Sequence, residues 1–104
     1  MGTLPQELFY EKKVNSFAKL TEEVDLLDLD SGIRTFADYQ GQKGQFVFVT
    51  RSPHDTYTLM VYARKGGSAL VPGRRLLVKE FKAKEDLVGF MKGLLSKPVR
   101  AFVY

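Results

Sequence analysis

The chain has 104 residues, of which 44% are hydrophobic and 27% are charged, and these values are typical of one soluble globular domain. It contains no cysteine and a single histidine, which excludes disulfides, thiol catalysis and the usual zinc sites. No apolar run approaches the roughly 20 residues of a membrane-spanning helix. The N-terminus lacks the pattern of a signal peptide, so we expect a cytoplasmic protein.

The net charge of +4 is unevenly distributed along the chain. Residues 1–40 contain eight acidic and four basic side chains, a net charge of −4. Residues 41–104 contain twelve basic and four acidic side chains, a net charge of +8. This asymmetry indicates either an anionic partner for the C-terminal part or an acidic segment folded across a basic one.

The first predicted element that can be assigned is a helix. Residues 1–7 are expected to be frayed, and residues 8–14 are compatible with either a short strand or the start of a helix. Asn15 or Ser16 can cap a helix that stops near Leu27, because acidic residues crowd its C-terminal end. Apolar residues recur along it at the spacing of one helix face: Phe17, Leu20, Val24 and Leu27.

Three strands are predicted next. Residues 33–39 and residues 57–63 alternate in the manner of half-buried strands. Residues 46–50, Phe-Val-Phe-Val-Thr, are aromatic or β-branched throughout. This composition is typical of a central strand that is buried on both sides. Residues 40–44 form a hairpin loop whose two glycines can take positive φ, and residues 52–55 form a turn.

The last third of the chain reads strand, helix, strand over residues 75–81, 83–96 and 99–104, after a long Gly- and Pro-containing loop over residues 64–74. The helix carries one apolar stripe that must pack on another element: Leu87, Phe90, Met91, Leu94 and Leu95. We therefore predict a single α+β domain. It consists of an antiparallel sheet of four to six strands, with the N-terminal helix and the C-terminal helix packed on one face.

Three patterns that could carry chemistry have simpler structural explanations. His54 lies in one tight turn with Ser52 and Asp55, where a catalytic relay lacks the required geometry. The acidic residues over 22–30 do not follow the ligand spacing of a calcium loop. The glycines of the 64–74 loop are not followed by the Lys-Ser/Thr of a phosphate-binding loop. We therefore expect no enzymatic activity, no cofactor and no metal.

The basic residues around the 64–75 loop give the functional hypothesis. Bases stack on aromatic side chains of a sheet while Lys and Arg contact phosphates, and Phe36, Phe46 and Phe48 would join such a platform if they point away from the helices. We predict a small non-enzymatic protein that binds single-stranded or structured DNA or RNA, with low sequence specificity, through a basic sheet face and this loop. The predicted contact residues are Arg64, Lys65, Arg74, Arg75, Arg51 and Lys43 for phosphates, and Tyr57 and Tyr62 for bases.

Other interpretations stay open. If the helices cover these aromatic residues, the rings belong to the core and the basic residues form a solvated rim around it. The basic loop could instead dock on an acidic protein, which would make the chain a protein-interaction module or a small regulator. Gly89 and Gly93 lie opposite the apolar stripe, where they would either admit a second subunit, as in a homodimer, or reflect a surface without constraint.

The order of the predicted elements over residues 46–95 resembles the layout of sheet-based single-stranded nucleic-acid binders, such as Pur-type repeats and the positive-cofactor transcriptional coactivators. Residues 70–75, Leu-Val-Pro-Gly-Arg-Arg, are the part that most suggests it. The resemblance implies a sheet that binds an unpaired strand, and it assigns no individual contact residue.

Overall fold

The computed structural model describes residues 12–64 and 72–104, without the side chains of Gln42, Lys43, Arg64 and Pro72. The strands in this part of the chain are β1 (Lys12–Val14), β2 (Gly32–Tyr39), β3 (Gln42–Arg51), β4 (Tyr57–Arg64), β5 (Pro72–Phe81) and β6 (Ala101–Val103). The helices are α1 (Phe17–Asp25) and α2 (Lys84–Leu94). The strands form one antiparallel sheet in the order β1-β6-β2-β3-β4-β5.

Both helices begin where local chemistry favours it. Ser16 is the N-cap of α1, and its hydroxyl accepts a hydrogen bond of 3.2 Å from the backbone N–H of Lys19. Helix α2 has no side-chain cap, but Glu85 and Asp86 lie in its first turn, where the helix dipole favours negative charge. Its C-cap is Leu95, inside the predicted limit of residue 96. The predicted helices are therefore confirmed with small changes at their ends.

The β2–β3 hairpin closes through a two-residue turn. Gln40 and Gly41 both have positive φ, at 54° and 80°, and this is the backbone twist that suits adjacent antiparallel strands. Gly44, the second glycine that the sequence placed in this loop, also has a positive φ of 71° but lies within β3. The hairpin turn is thus shorter than residues 40–44, because strand pairing resumes at Gln42.

A single core lies between the helices and one face of the sheet. The apolar stripe of α2 packs there, together with the apolar face of α1 and alternate residues of the central strands. Apart from Ala37, the members of this core with an exposed fraction of 0% are Leu20, Val24, Ile33, Val47, Val49, Leu59, Val61, Leu87 and Met91. The predicted arrangement of an antiparallel sheet with helices on one face is confirmed.

The segment that was predicted as a loop over residues 64–74 is shorter than expected. Arg64 is the last residue of β4, and it pairs with Pro72, the first residue of β5. The pairing shifts register on both sides of Tyr62, and such irregularities allow a proline at a strand end, where it has no N–H to donate. Residues 65–71 and the N-terminal residues 1–7 lie outside the described residues.

The core assignment predicts unequal effects for two leucines. Leu87→Ala would leave a cavity beneath α2, because Leu87 is fully buried. We expect this substitution to lower the free energy of unfolding by about 2–5 kcal/mol. Leu26→Ala, at a position that is 69% exposed, should change it by no more than about 0.5 kcal/mol. Urea denaturation measures both, and equal effects would contradict the packing of α2 on the sheet.

Candidate nucleic-acid interface

The strand register sorts the side chains of the sheet onto two faces. Residues directly opposite one another in antiparallel strands share a face, and successive residues along a strand alternate between faces. Val49 and Leu59 are opposite one another and are buried beneath the helices. Their neighbours Phe48 and Met60, also a matched pair, therefore lie on the other face. We call this surface the helix-free face, because α1 and α2 both pack on the opposite one.

Two rows of side chains cross the helix-free face from strand to strand. The first row contains three rings and a cation: Phe36, Phe46, Tyr62 and Arg75. The second row is longer and contains two cations: Lys13, Phe102, Arg34, Phe48, Met60 and Val78. Adjacent members lie about 4.8 Å apart in the strand-to-strand direction. Every charged side chain in these two rows is positive.

The rings of the two rows touch one another. The ring centroids of Phe36 and Phe46 are 5.8 Å apart, and those of Phe48 and Tyr62 are 5.6 Å apart with an edge-to-face geometry. Phe46 is only 2% exposed, so it supports its neighbours. The rings of Phe36, Phe48 and Tyr62 are half-buried and keep part of their surface exposed. We call the set an aromatic platform: Phe36, Phe46, Phe48, Tyr62 and Phe102.

Cations lie directly over two rings of the platform. The guanidinium carbon of Arg34 is 4.5 Å from the ring centroid of Phe102, and that of Arg100 is 5.3 Å from the ring centroid of Phe36. These distances are within the range of cation–π attraction. Glu80 is an acid on the same face, but it lies on the outer strand and accepts a hydrogen bond of 3.0 Å from Thr56. The centre of the platform is therefore positively charged.

The structure brings together two of the residues predicted from the sequence. Tyr62 and Arg75 are opposite one another in β4 and β5, and Arg75 is exposed at the end of the first row. Arg74, its neighbour in β5, is also exposed. Both arginines belong to a strand, although the sequence placed Arg74 in a loop.

Three other predicted residues cannot be placed on this surface. Arg64 ends β4 and Lys43 lies in β3, but the description of both residues stops at the backbone. Lys65 lies outside the described residues. Their predicted contacts with phosphates stay predictions.

Tyr57 and Arg51 lie on the helix-covered side of the sheet. Tyr57 belongs to the core and is 7% exposed. The guanidinium carbon of Arg51 is 5.2 Å from the Tyr57 ring centroid. Arg51 also donates a 3.3 Å hydrogen bond to the carbonyl of Leu27. A second hydrogen bond, to the Asp55 carboxylate, raises the pKa of Arg51. Arg51 therefore joins the end of the sheet to the α1–β2 connection. The predicted contacts of Arg51 and Tyr57 with nucleic acid stay predictions.

The separation of the two tyrosines has a simple cause. Tyr57 and Tyr62 are five residues apart in one strand, an odd number, so alternation puts them on opposite faces. The alternation of residues 57–63 already carried this signal.

Four basic or aromatic residues lie on the helix-free face although the sequence did not lead us to predict them as contacts: Lys13, Arg34, Arg100 and Phe102. The placement of Lys13, Arg100 and Phe102 depends on β6, which lies between β1 and β2. The sequence shows that residues 99–104 form a strand, but it does not show which strands they pair with. Arg34 was recognisable only as a residue on the same face as Phe36.

The remaining candidates show no reactive arrangement. His54 is exposed in its turn, where its backbone N–H donates a 3.3 Å hydrogen bond to Ser52 Oγ. Within residues 12–64 and 72–104, no group of three metal-ligating side chains could hold an ion.

A Cβ added at Gly89 or at Gly93 would meet no atom within 4 Å, so packing inside one chain requires neither glycine. A homodimer at this helix stays a prediction.

The chain is thus an α+β protein whose six described strands form one antiparallel sheet with an aromatic and basic face. No protein-family model, curated protein or solved structure matches it. Neither of its described helices is long and apolar enough to cross a membrane. The predicted cytoplasmic location and the predicted lack of enzymatic activity stay predictions.

The contacts of Arg51 predict a structural effect for its replacement. We expect Arg51→Gln to lower the thermal unfolding midpoint, because the carbonyl of the buried Leu27 would lose its hydrogen-bond donor. Arg75→Gln removes the same charge from an exposed site and should leave the midpoint unchanged. Circular dichroism during heating measures both variants. Equal midpoints would show that Arg51 does not stabilise the fold.

Proposed function

We propose that the protein binds single-stranded or structured DNA or RNA through the helix-free face, with low sequence specificity. The observation that carries this proposal is the pair of cross-sheet rows. They put half-exposed aromatic rings beside cations on one surface, and Arg100 adds a further cation over Phe36. The helix-covered face also has cations over rings, at Tyr57 and Phe81, but both of these rings are buried.

The rings supply contacts that do not depend on base identity. Every base has a π face, and stacking on an aromatic side chain contributes roughly 1–3 kcal/mol per base. Phe36, Phe48, Tyr62 and Phe102 are all half-buried, so each side chain is partly held by its neighbours and keeps part of its surface exposed. An unpaired strand could thus lay successive bases on the platform with little loss of side-chain entropy.

The cations supply contacts to the sugar–phosphate backbone. Lys13 and Arg75 are exposed at opposite sides of the platform, and Arg34 and Arg100 lie over its rings. Each phosphate neutralised by such a cation releases bound counterions, which makes the affinity fall with salt concentration. A net charge of +8 over residues 41–104 also attracts a polyanion from a distance.

The rings also favour nucleic acid over an acidic protein as the partner. An acidic protein would use the cations but has no general need for several exposed rings in a row. A nucleic-acid strand uses both, since its bases stack while its phosphates pair with cations. Capture of a protein from solution that survives nuclease treatment would favour the acidic partner.

Removing cations from the platform should weaken binding to all sequences alike. The test variant is Lys13→Gln with Arg75→Gln, two exposed positions of the helix-free face. We expect lower affinity for labelled single-stranded DNA and RNA, and a slope of log K against log salt that is flatter by about 1.4, or about 0.7 for each lost phosphate contact. Fluorescence anisotropy over a salt series measures both quantities.

The matched control for this charge change is Lys82→Gln with Lys92→Gln. Lys82 and Lys92 are exposed, in the β5–α2 turn and in α2, so the control has the same net charge without altering the platform. The slope of log K against log salt for this control should equal that of the unaltered protein. If the two double variants lose affinity and slope equally, the proposed site is wrong and only overall charge attracts the strand.

Removing rings should weaken binding without changing the salt dependence. We expect Phe48→Leu and Tyr62→Leu each to lower the affinity for single strands roughly 5- to 150-fold, the range that corresponds to one lost stacking contact. Leucine keeps the surface apolar, so the fold should persist. Phe90→Leu is the control, because Phe90 packs on Phe81 at the helix-covered face, with 5.5 Å between ring centroids. Unchanged affinity in both platform variants would exclude stacking.

A further inference from the structure

A cavity of about 310 Å³ lies at one corner of the helix-free face. We call it the corner cavity, and its lining residues are Phe36, Ser96, Lys97, Pro98 and Arg100. Phe36 belongs to the aromatic platform, and the other four residues form the connection between α2 and β6. A volume near 300 Å³ is at the small end of ligand sites, large enough for one nucleotide. The cavity is therefore continuous with the proposed binding surface.

Hydrogen bonds fix both ends of the connection that forms the cavity wall. The backbone N–H of Ser96 donates a 2.9 Å hydrogen bond to the carbonyl of Phe36. At the other end, the hydroxyl of Thr35 donates a 2.7 Å hydrogen bond to the carbonyl of Arg100. Adjacent residues of β2 thus hold the two ends of the wall. The cavity is a preformed feature, which lowers the entropic cost of binding there.

The side chains of the cavity combine a ring with two cations. Lys97 and Arg100 are both exposed, and neither forms an ion pair with another residue in the described parts of the chain. The nearby carboxylate of Asp38 does not line the cavity. It accepts hydrogen bonds of 2.8 Å from Ser96 Oγ and 3.2 Å from the Gly44 N–H, which stabilise its negative charge where it lies.

We propose that the corner cavity binds the terminal nucleotide of a strand by its phosphate monoester. A terminal monoester carries about −1.5 to −2 charges at pH 7, whereas an internal phosphate carries one. The two cations match the greater charge, and Phe36 with the Arg100 guanidinium over it offers a flat surface for the base. This inference rests on the proposed function, because the rest of the strand would lie on the platform.

The test compares short thymidine oligonucleotides that differ only at their ends. A hexamer with a 5′-phosphate, a hexamer with a 3′-phosphate and an unphosphorylated heptamer all carry the same number of phosphate groups. Each competes with a labelled strand for the protein in fluorescence anisotropy at low salt. We expect one of the two phosphorylated hexamers to bind roughly fivefold tighter than the heptamer, which is the gain from one good charge contact. The two hexamers distinguish a 5′ end from a 3′ end.

The variant Lys97→Gln tests the contribution of the corner cavity to binding separately from that of the aromatic platform. Lys97 is exposed, so its replacement should not disturb the fold, and the heptamer should bind almost as it does to the unaltered protein. The gain from the terminal phosphate should disappear. Lys92→Gln, which removes one charge from the exposed side of α2, should preserve the gain. A gain that survives in Lys97→Gln would overturn the assignment of this cavity.

The pH dependence provides a second readout. The second pKa of a phosphate monoester is about 6, so the monoester loses close to one charge between pH 7.5 and about pH 5. The advantage of the phosphorylated hexamer should therefore shrink toward pH 5. Equal binding of all three oligonucleotides at pH 7.5 would overturn this inference alone. If none of them binds, the proposed function itself is wrong.

Discussion

The burial of α2 on one face of the sheet is the constraint on which the rest of the structure depends. Leu87 and Met91 are fully buried among the inward-facing residues of the sheet, including Val47 and Val49 of β3. Because side chains alternate along a strand, burying these two valines commits Phe46 and Phe48 to the other face. A slip of one residue would exchange the two sets. The packing of a helix thus determines which side chains of β3 lie on the helix-free face.

The two faces of β3 divide the apolar residues by type. The β-branched valines pack beneath the helices, where compact side chains fill a close-packed core. The phenylalanines occupy the other face, where a ring can be half-buried by its neighbours and still present surface to a planar ligand. Phe46 illustrates the difference, since it is 2% exposed between Phe36 and Tyr62 and serves as the base of the platform.

The sequence predicted the elements better than it predicted the interface. The C-terminal helix was recognisable because its apolar stripe has a clear period and its first turn is acidic. Arg75 and Tyr62, which lie on the helix-free face, were predicted as contacts because they lie near a basic segment. Arg100 and Phe102 were missed because their position depends on β6 pairing with β2, a contact between distant parts of the chain. Local patterns do not encode such pairings, whereas the alternation of residues 57–63 already puts Tyr57 and Tyr62 on opposite faces.

Stability and the proposed binding surface are separated in this fold. The buried aliphatic residues and the contacts of Arg51 lie on the helix-covered side. On the helix-free side, the backbone carbonyl of Arg100 accepts a hydrogen bond from Thr35, and its guanidinium lies over Phe36. A cation held this way keeps N–H groups for a ligand without being needed for the core. Phe36 belongs to both the aromatic platform and the corner cavity. A bound nucleic-acid strand could therefore follow the rings and end beside Arg100 without leaving the helix-free face.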